Sequence, residues 1–254
     1  MEFPVLLWGI HPHRIFDVLS LLVGSQLFWW MQRRALDRFT SDETWTLAAG
    51  CLLGAAIGAK LIVFFEEPRP FSVLADPMFW MSGKSIVGAM LGALAGVEIA
   101  KKLGGITRRT GDAFVVPLCV GLAIGRVGCF LSGLTDDAYG IHTSLPWGVD
   151  FGDGARHPTQ LYEIAFALGF LAFATRLRRV TKPGETFVAF MVSYFAFRFA
   201  TESIRVAPRP YAGFTVYQIG CALGLAYYAI LVTMQASAAR SARAASIGEP
   251  QAPR

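Results

Sequence analysis

Five ionisable side chains stand inside otherwise apolar stretches of the sequence: Lys60, Arg126, Glu163, Arg198 and Glu202. A charge at the centre of a bilayer costs about 2.5–3.5 kcal/mol even on insertion scales, so such residues pair, recruit water or serve a site. Arg198 and Glu202 are four apart and share a helix face, which Arg205 extends at i+7. In that register Glu202 orients Arg198 and leaves cationic groups able to grip an anion. A guanidinium fork matches the oxygens of a phosphate two at a time. Two arginines arriving from different helices in the outer half of a bilayer therefore suit the phosphate of an anionic phospholipid. The competing reading is a set of ion pairs that pin helices together. Three arginines set against one assured glutamate partner leave positive charge over, which favours a ligand.

Such residues need elements to hold them, and the composition says which. Hydrophobic residues make up 54% of the 254-residue chain and charged ones 16%, where a soluble domain carries about 25% charged. Mean hydropathy is +0.47. Apolar windows of about 20 residues, the length that crosses a bilayer core, predict seven spans near 12–32, 43–65, 84–103, 110–134, 158–178, 184–205 and 213–236. The expected fold is all-α: a polytopic membrane protein with one transmembrane domain over 1–236 and a disordered cytoplasmic tail, 237–254. The first residues have no basic start and no small-residue cleavage site, so they are taken as mature protein.

Basic residues orient the spans. Groups at 33–38, 101–109, 176–182 and 240–254 fall beyond alternate helix ends, against a sparser set of Arg14, Arg69, Lys84, Arg156, Arg205 and Arg209 at the other ends. The positive-inside rule then puts the N-terminus outside and the C-terminus in the cytoplasm. Cytoplasmic Lys and Arg facing anionic lipid account for the net charge of +5, and no nucleic-acid partner is needed. On this topology the five intramembrane charges lie at similar depth, which implies one polar cavity open toward the outer leaflet.

Other reactive residue types carry weaker signals. Cys51, Cys119, Cys129 and Cys221 fall within spans without C-x-x-C spacing, and read as small buried hydrophobes. His11 and His13 in "HPHR" lack adjacent carboxylates, so neither a metal nor another cofactor is expected. The outer loop, roughly 135–157, is rich in Gly and Asp; Asp136, Asp137, Asp150 and Asp153 read as solvated, and Trp147 and Phe151 as interfacial. Glycines at 50, 54 and 58, at 88, 92 and 96, and at 121 and 125 form small-residue stripes that let helix backbones approach.

The order of these segments resembles the prolipoprotein diacylglyceryl transferase family. "GAKLIVFF" (58–65) is similar to that family's Gly-x-Arg segment with Lys60 for Arg, and "DAFVVPLCVGLAIGRVGCF" (112–130) to its signature helix. "HPTQLYE" (157–163) is close to His-Pro-Ser-Gln-Leu-Tyr-Glu, "RFATESIR" (198–205) repeats Arg-x3-Glu-x2-Arg, and "GFTVYQ" (213–218) ends on the family's Gln. The resemblance implies a multi-pass enzyme of the bacterial inner membrane. Such an enzyme moves the diacylglyceryl group of phosphatidylglycerol onto the lipobox cysteine of a preprolipoprotein signal peptide. It implies catalytic roles for Arg126, Arg198 and Glu202, and phosphatidylglycerol binding by Arg126, Arg198, Arg205 and Lys60.

Several family positions are changed. The signature Asn is Cys129, a second Asn is Ser132, the signature Glu is Leu134, a family His is Val87 and an N-terminal Tyr is matched by Phe16. General-base help is worth about 10²- to 10⁴-fold, so its loss asks for a replacement. His157 and Glu163 are the candidates, with Gln160 and Tyr162 as support. The leading reading is a diacylglyceryl transferase. The alternatives are a catalytically impaired paralogue that binds anionic phospholipid as an accessory protein, and a transporter or channel.

Overall fold

A computed structural model of the chain describes residues 3–6, 9–35, 38–67, 69–81, 85–178 and 180–248, with side chains to 237. Lys84, Arg179 and the side chains of Arg240, Arg243 and Arg254, all used above for orientation, lie outside the described residues. The chain is mostly helical: α1 (Pro12–Arg34), α2 (Ser41–Phe64), the short α3 (Pro77–Met81), α4 (Ile86–Leu103), α5 (Asp112–Ser132), α6 (Thr159–Leu177), α7 (Glu185–Glu202) and α8 (Val216–Gly248). Among the described residues seven helices reach 18 residues or more, one in each apolar window. Three segments among the described residues are long and apolar enough to cross a membrane: Ser41–Phe64, Asp112–Thr135 and Val216–Ser237. Helical backbone in α8 continues to Gly248, into the stretch expected to be a disordered tail. That stretch is rich in Ala, the best helix former, and residues from 249 on lie outside the described set.

Local signals set the helix ends. Pro12 occupies the first turn of α1, where a missing N–H costs nothing. Thr40 and Glu43 make a reciprocal capping box on α2, and Thr215 and Gln218 do the same before α8. Asp112, in the first turn of α5, reaches across to accept the Gly184 and Phe187 amides at 2.6 and 2.8 Å. One carboxylate thereby caps α7 from another helix and locks two elements distant in sequence.

Close packing follows the glycine stripes. A Cβ on Gly54 would stand 2.1 Å from the Gly92 carbonyl oxygen, and one on Gly58 2.2 Å from that of Gly88. The backbones of α2 and α4 therefore touch at positions only glycine permits. Gly121 and Gly125 are different, since a Cβ there meets nothing nearer than 3.5 Å. Gly128 instead holds α1 against α5, for a Cβ would lie 2.5 Å from Phe16 Cβ. Between α4, α5, α6, α7 and α8 sits a core that includes Val87, Val115, Cys119, Phe170, Phe190, Tyr194, Phe195 and Cys221.

The loop over 135–157 is more ordered than its composition suggests. Strands β1 (Val149–Asp150) and β2 (Ala155–Arg156) pair antiparallel. The Asp150 carboxylate accepts the Gly152 and Gly154 amides, which hold its pKa below the usual range. Asp153 pairs with Arg156. Phe151, expected at the interface, is buried and packs edge-on against Phe3 and Phe130, while Trp147 is exposed and donates to the Tyr162 hydroxyl. Its own hydrophobic contacts, available only once α5 ends at Gly133, draw Phe151 inward.

Candidate functional site

Glu163, fully buried in α6, is the centre of the charged cluster. Its Oε2 accepts from Arg126 Nε of α5 at 2.7 Å. Its Oε1 lies 3.7 Å from Arg198 Nε of α7 and 3.6 Å from Arg205 Nη1, just past the end of α7. Arg198 Nη1 donates to Glu202 Oε2, and Arg205 Nε stands 3.9 Å from that same oxygen. Arg126 and Arg198 thus converge on one carboxylate. Three guanidinium groups face two carboxylates, which leaves one positive charge in a buried place.

The spacing of α7 makes this possible. Tyr194, Arg198 and Glu202 recur every four residues on one face, and the Tyr194 hydroxyl donates to Glu163 Oε2 at 3.5 Å. Tyr194 was not singled out from sequence; its place one turn before Arg198 is the signal that marks it. Arg205 is fixed from the loop side, donating to the Asp137 carbonyl at 2.7 Å.

Several polar atoms here are left over. Gln160 is fully buried one turn before Glu163 on α6, and neither amide atom makes a hydrogen bond. Arg198 Nε and Glu202 Oε1 are likewise without a hydrogen-bond partner. Buried polar atoms are paired in most proteins, and an unpaired one costs about 1–3 kcal/mol. The unpaired donors, beside an excess positive charge, are what an anion would satisfy.

Other sequence-selected residues have partners of their own. Lys60 is buried and donates to the Phe79 carbonyl at 2.7 Å, and its described contacts do not include the arginines. His157 Nδ1 is 3.0 Å from the Tyr162 hydroxyl, which also accepts from Trp147. Gln218 caps α8 and reaches Ser203 at 3.4 Å. Val87 is fully buried among apolar side chains and Phe16 covers Gly128, so apolar packing fills both positions.

A second polar cluster approaches Arg126 from α1 and the loop after α5. His13 Nδ1, in the first turn of α1, lies 3.6 Å from Cys129 Sγ, and Cys129 Sγ accepts from Arg126 Nη1 at 3.6 Å. Asp136 Oδ2 is 3.1 Å from the same His13 nitrogen. Two expectations are thereby corrected: Cys129 is buried but not in a purely apolar setting, and Asp136 is a packed loop residue instead of a solvated one. The carboxylates that "HPHR" lacked come from Asp17, one helical turn on and 3.4 Å from Nε2, and from Asp136 across the fold. An apolar groove of about 970 Å³ between α2, α4 and α8 has no charged side chain in its lining and lies apart from this chemistry.

Fold and site together define a helical membrane protein built around a buried cationic centre. The family profile of prolipoprotein diacylglyceryl transferase matches residues 7–234, and the chain belongs to that family. Three relatives share the description phosphatidylglycerol–prolipoprotein diacylglyceryl transferase. The protein of Nitratidesulfovibrio vulgaris (strain DP4) is 32% identical over 203 residues, covering 74% of this chain and 75% of its own. That of Geobacter sulfurreducens is 32% identical over 208 residues, with 74% and 76% covered. In Bordetella bronchiseptica identity is 33% over 210 residues, again with 74% and 76% covered. The chain is accordingly a membrane transferase of lipoprotein biosynthesis.

Proposed function

We propose that the protein transfers the diacylglyceryl group of phosphatidylglycerol to the thiol of a lipobox cysteine in a preprolipoprotein signal peptide, releasing glycerol phosphate. One observation carries the donor side: three guanidinium groups, those of Arg126 and Arg198 buried, meet two carboxylates, with Arg198 Nε making no hydrogen bond and the buried Gln160 amide unpaired one turn before Glu163. An anionic phosphodiester supplies the missing charge and acceptors.

The arrangement of the arginines supports a displacement. The acceptor thiolate, the reactive form of cysteine, attacks the glycerol carbon next to the phosphate; a C–S bond forms and the C–O bond breaks. Negative charge then grows on the departing glycerol phosphate. Fixed cations in a dry site act most strongly where charge develops. Arg126 and Arg198 meet that charge, Arg205 adds to the field, and Glu163 and Glu202 hold the forks in register. Glu163, shared by three guanidinium groups, is a positioning carboxylate. Seven spans, N-terminus outside, put this centre in the outer half of the bacterial inner membrane, where a translocated signal peptide presents its cysteine.

The accessory-protein reading is favoured by one observation, the apolar filling at Val87 and Phe16. A fluorescent lipobox peptide incubated with purified protein in phosphatidylglycerol micelles separates the two. A gain of diacylglyceryl mass, lost in Arg126→Ala, is the expected result. Lipid binding through Arg126 without product would establish the accessory role.

A further inference from the structure

Three donor atoms from three parts of the chain converge beside Arg126. His13 Nδ1, Cys129 Sγ and Asp136 Oδ2 all lie within 4.8 Å of one another. Nδ1 is 3.6 Å from the sulfur and 3.1 Å from the oxygen. Tetrahedral zinc, with bonds of about 2.0–2.1 Å to nitrogen or oxygen and about 2.3 Å to sulfur, sets such donor pairs about 3.3–3.6 Å apart. We propose that His13, Cys129 and Asp136 bind a zinc-like divalent cation whose fourth position takes the acceptor thiol. The proposal rests on the transferase reading for that last ligand.

A plain hydrogen-bond triad accounts for the cluster less well. Sulfur and carboxylate oxygen both address Nδ1, which carries at most one hydrogen, so a hydrogen-bonded triad closes only if the Cys129 thiol donates to Asp136. Asp136 Oδ2 is buried and completes no hydrogen bond despite its short distance to that nitrogen. A cation between the three satisfies all of them. The other ring nitrogen, Nε2, faces Asp17 Oδ2 at 3.4 Å, and a carboxylate behind a histidine is the usual support of a metal ligand. Charge agrees as well. Two carboxylates and a thiolate around a divalent ion leave one negative charge, next to the one positive charge of the arginine centre.

Three protein ligands leave a metal position open, and the His13 side chain is 37% exposed, so a substrate atom has access. An acceptor thiol that coordinates there gives up its proton to water. Its sulfur then attacks the glycerol carbon, the C–O bond breaks, and the electron pair leaves with the phosphate held by Arg126 and Arg198. The step is redox-neutral. It supplies the thiol activation for which Val87 and Phe16 provide no group.

The test uses the full chain in detergent, stripped with chelator and titrated with cobalt(II) chloride. One equivalent of cobalt, with a thiolate-to-cobalt band in the near ultraviolet, is expected. The band should vanish in Cys129→Ala, and affinity should fall at least about 10-fold in His13→Ala and Asp136→Asn. Thermal unfolding of each variant keeps misfolding apart from ligand loss, and in the wild type added zinc should bleach the band without any substitution. A thiol peptide should intensify the band as a second sulfur binds. No stoichiometric cobalt in the wild type, or an unchanged band in folded Cys129→Ala, overturns the proposal. Diacylglyceryl transfer at full rate in stripped protein would also sink it while leaving the transferase reading standing. A cobalt band that responds to the peptide, in protein that transfers nothing from phosphatidylglycerol, would keep the metal site and remove the donor.

Discussion

Glu163 concentrates the demands of the site on one residue, because it is the counter-charge shared by guanidinium groups from α5, α7 and the loop after α7. Removing one partner of a buried ion network leaves uncompensated charge, at a cost of about 3–5 kcal/mol. Glu163→Gln should therefore lower stability by about that much, read as the shift in reversible unfolding in detergent. Arg198 depends on the planar fork more than on its charge, since Nη1 is committed to Glu202 and Nε remains for a ligand. Lysine keeps the charge and loses the fork. Arg198→Lys should cut the rate of transfer about 10²-fold, the effect of one missing donor at a developing anion, while leaving unfolding near that of the wild type.

Helix approach decides whether these side chains meet. α2 and α4 touch through glycine, and a methyl at Gly54 would sit 2.1 Å from a backbone oxygen that has nowhere to go. Gly54→Ala should destabilise by about 1–3 kcal/mol, the usual cost of overpacking, measurable by thermal unfolding; Gly121→Ala, whose Cβ would make an ordinary 3.5 Å contact with the Ser20 carbonyl, is the matched control. Gly128 acts on the chemistry directly. It carries Phe16 and the His13 backbone tight against α5, a Cβ there standing 2.5 Å from Phe16 Cβ and 3.4 Å from His13 Cα. Gly128→Ala should displace the start of α1 and weaken cobalt binding at least about 10-fold, while Arg126 and Glu163, on the α5–α6 contact, stay paired. Asp112 plays the same part for α7: its carboxylate caps that helix from α5 and so sets the height at which Arg198 enters the cluster.

At the scale of the whole molecule, the side of the membrane on which the centre opens determines which substrate it meets. On the proposed topology, with basic residues beyond alternate ends of seven long helices, the ordered loop carrying Trp147 and Asp136 lies outside, with His13 against it. A cysteine introduced at Trp147, which is exposed, should react with a membrane-impermeant maleimide in intact cells. A reporter fused after 254 should be active only in the cytoplasm. Labelling in the opposite sense would turn the centre toward the cytoplasm and remove its access to a translocated signal peptide.

Elements and the Arg198–Glu202 pair were legible along the chain because they depend on local quantities. Seven apolar windows became seven helices, and the four-residue spacing of Arg198 and Glu202 became a contact, since helix periodicity converts sequence distance into a shared face. The glycine stripes at 50–58 and 88–96 likewise marked a backbone contact. What tertiary structure alone decided is which distant residues share space. Glu163, considered as a base, proved to be the counter-ion of three arginines drawn from separate segments. His13, Cys129 and Asp136, separated by more than a hundred residues of chain between the first two, carry no common spacing. Only the close seating of α1 on α5 over Gly128, and the turn after Gly133 that folds the loop back, bring their donor atoms to one point. Periodicity reports the face of a single helix and is silent on the face that another helix presents to it.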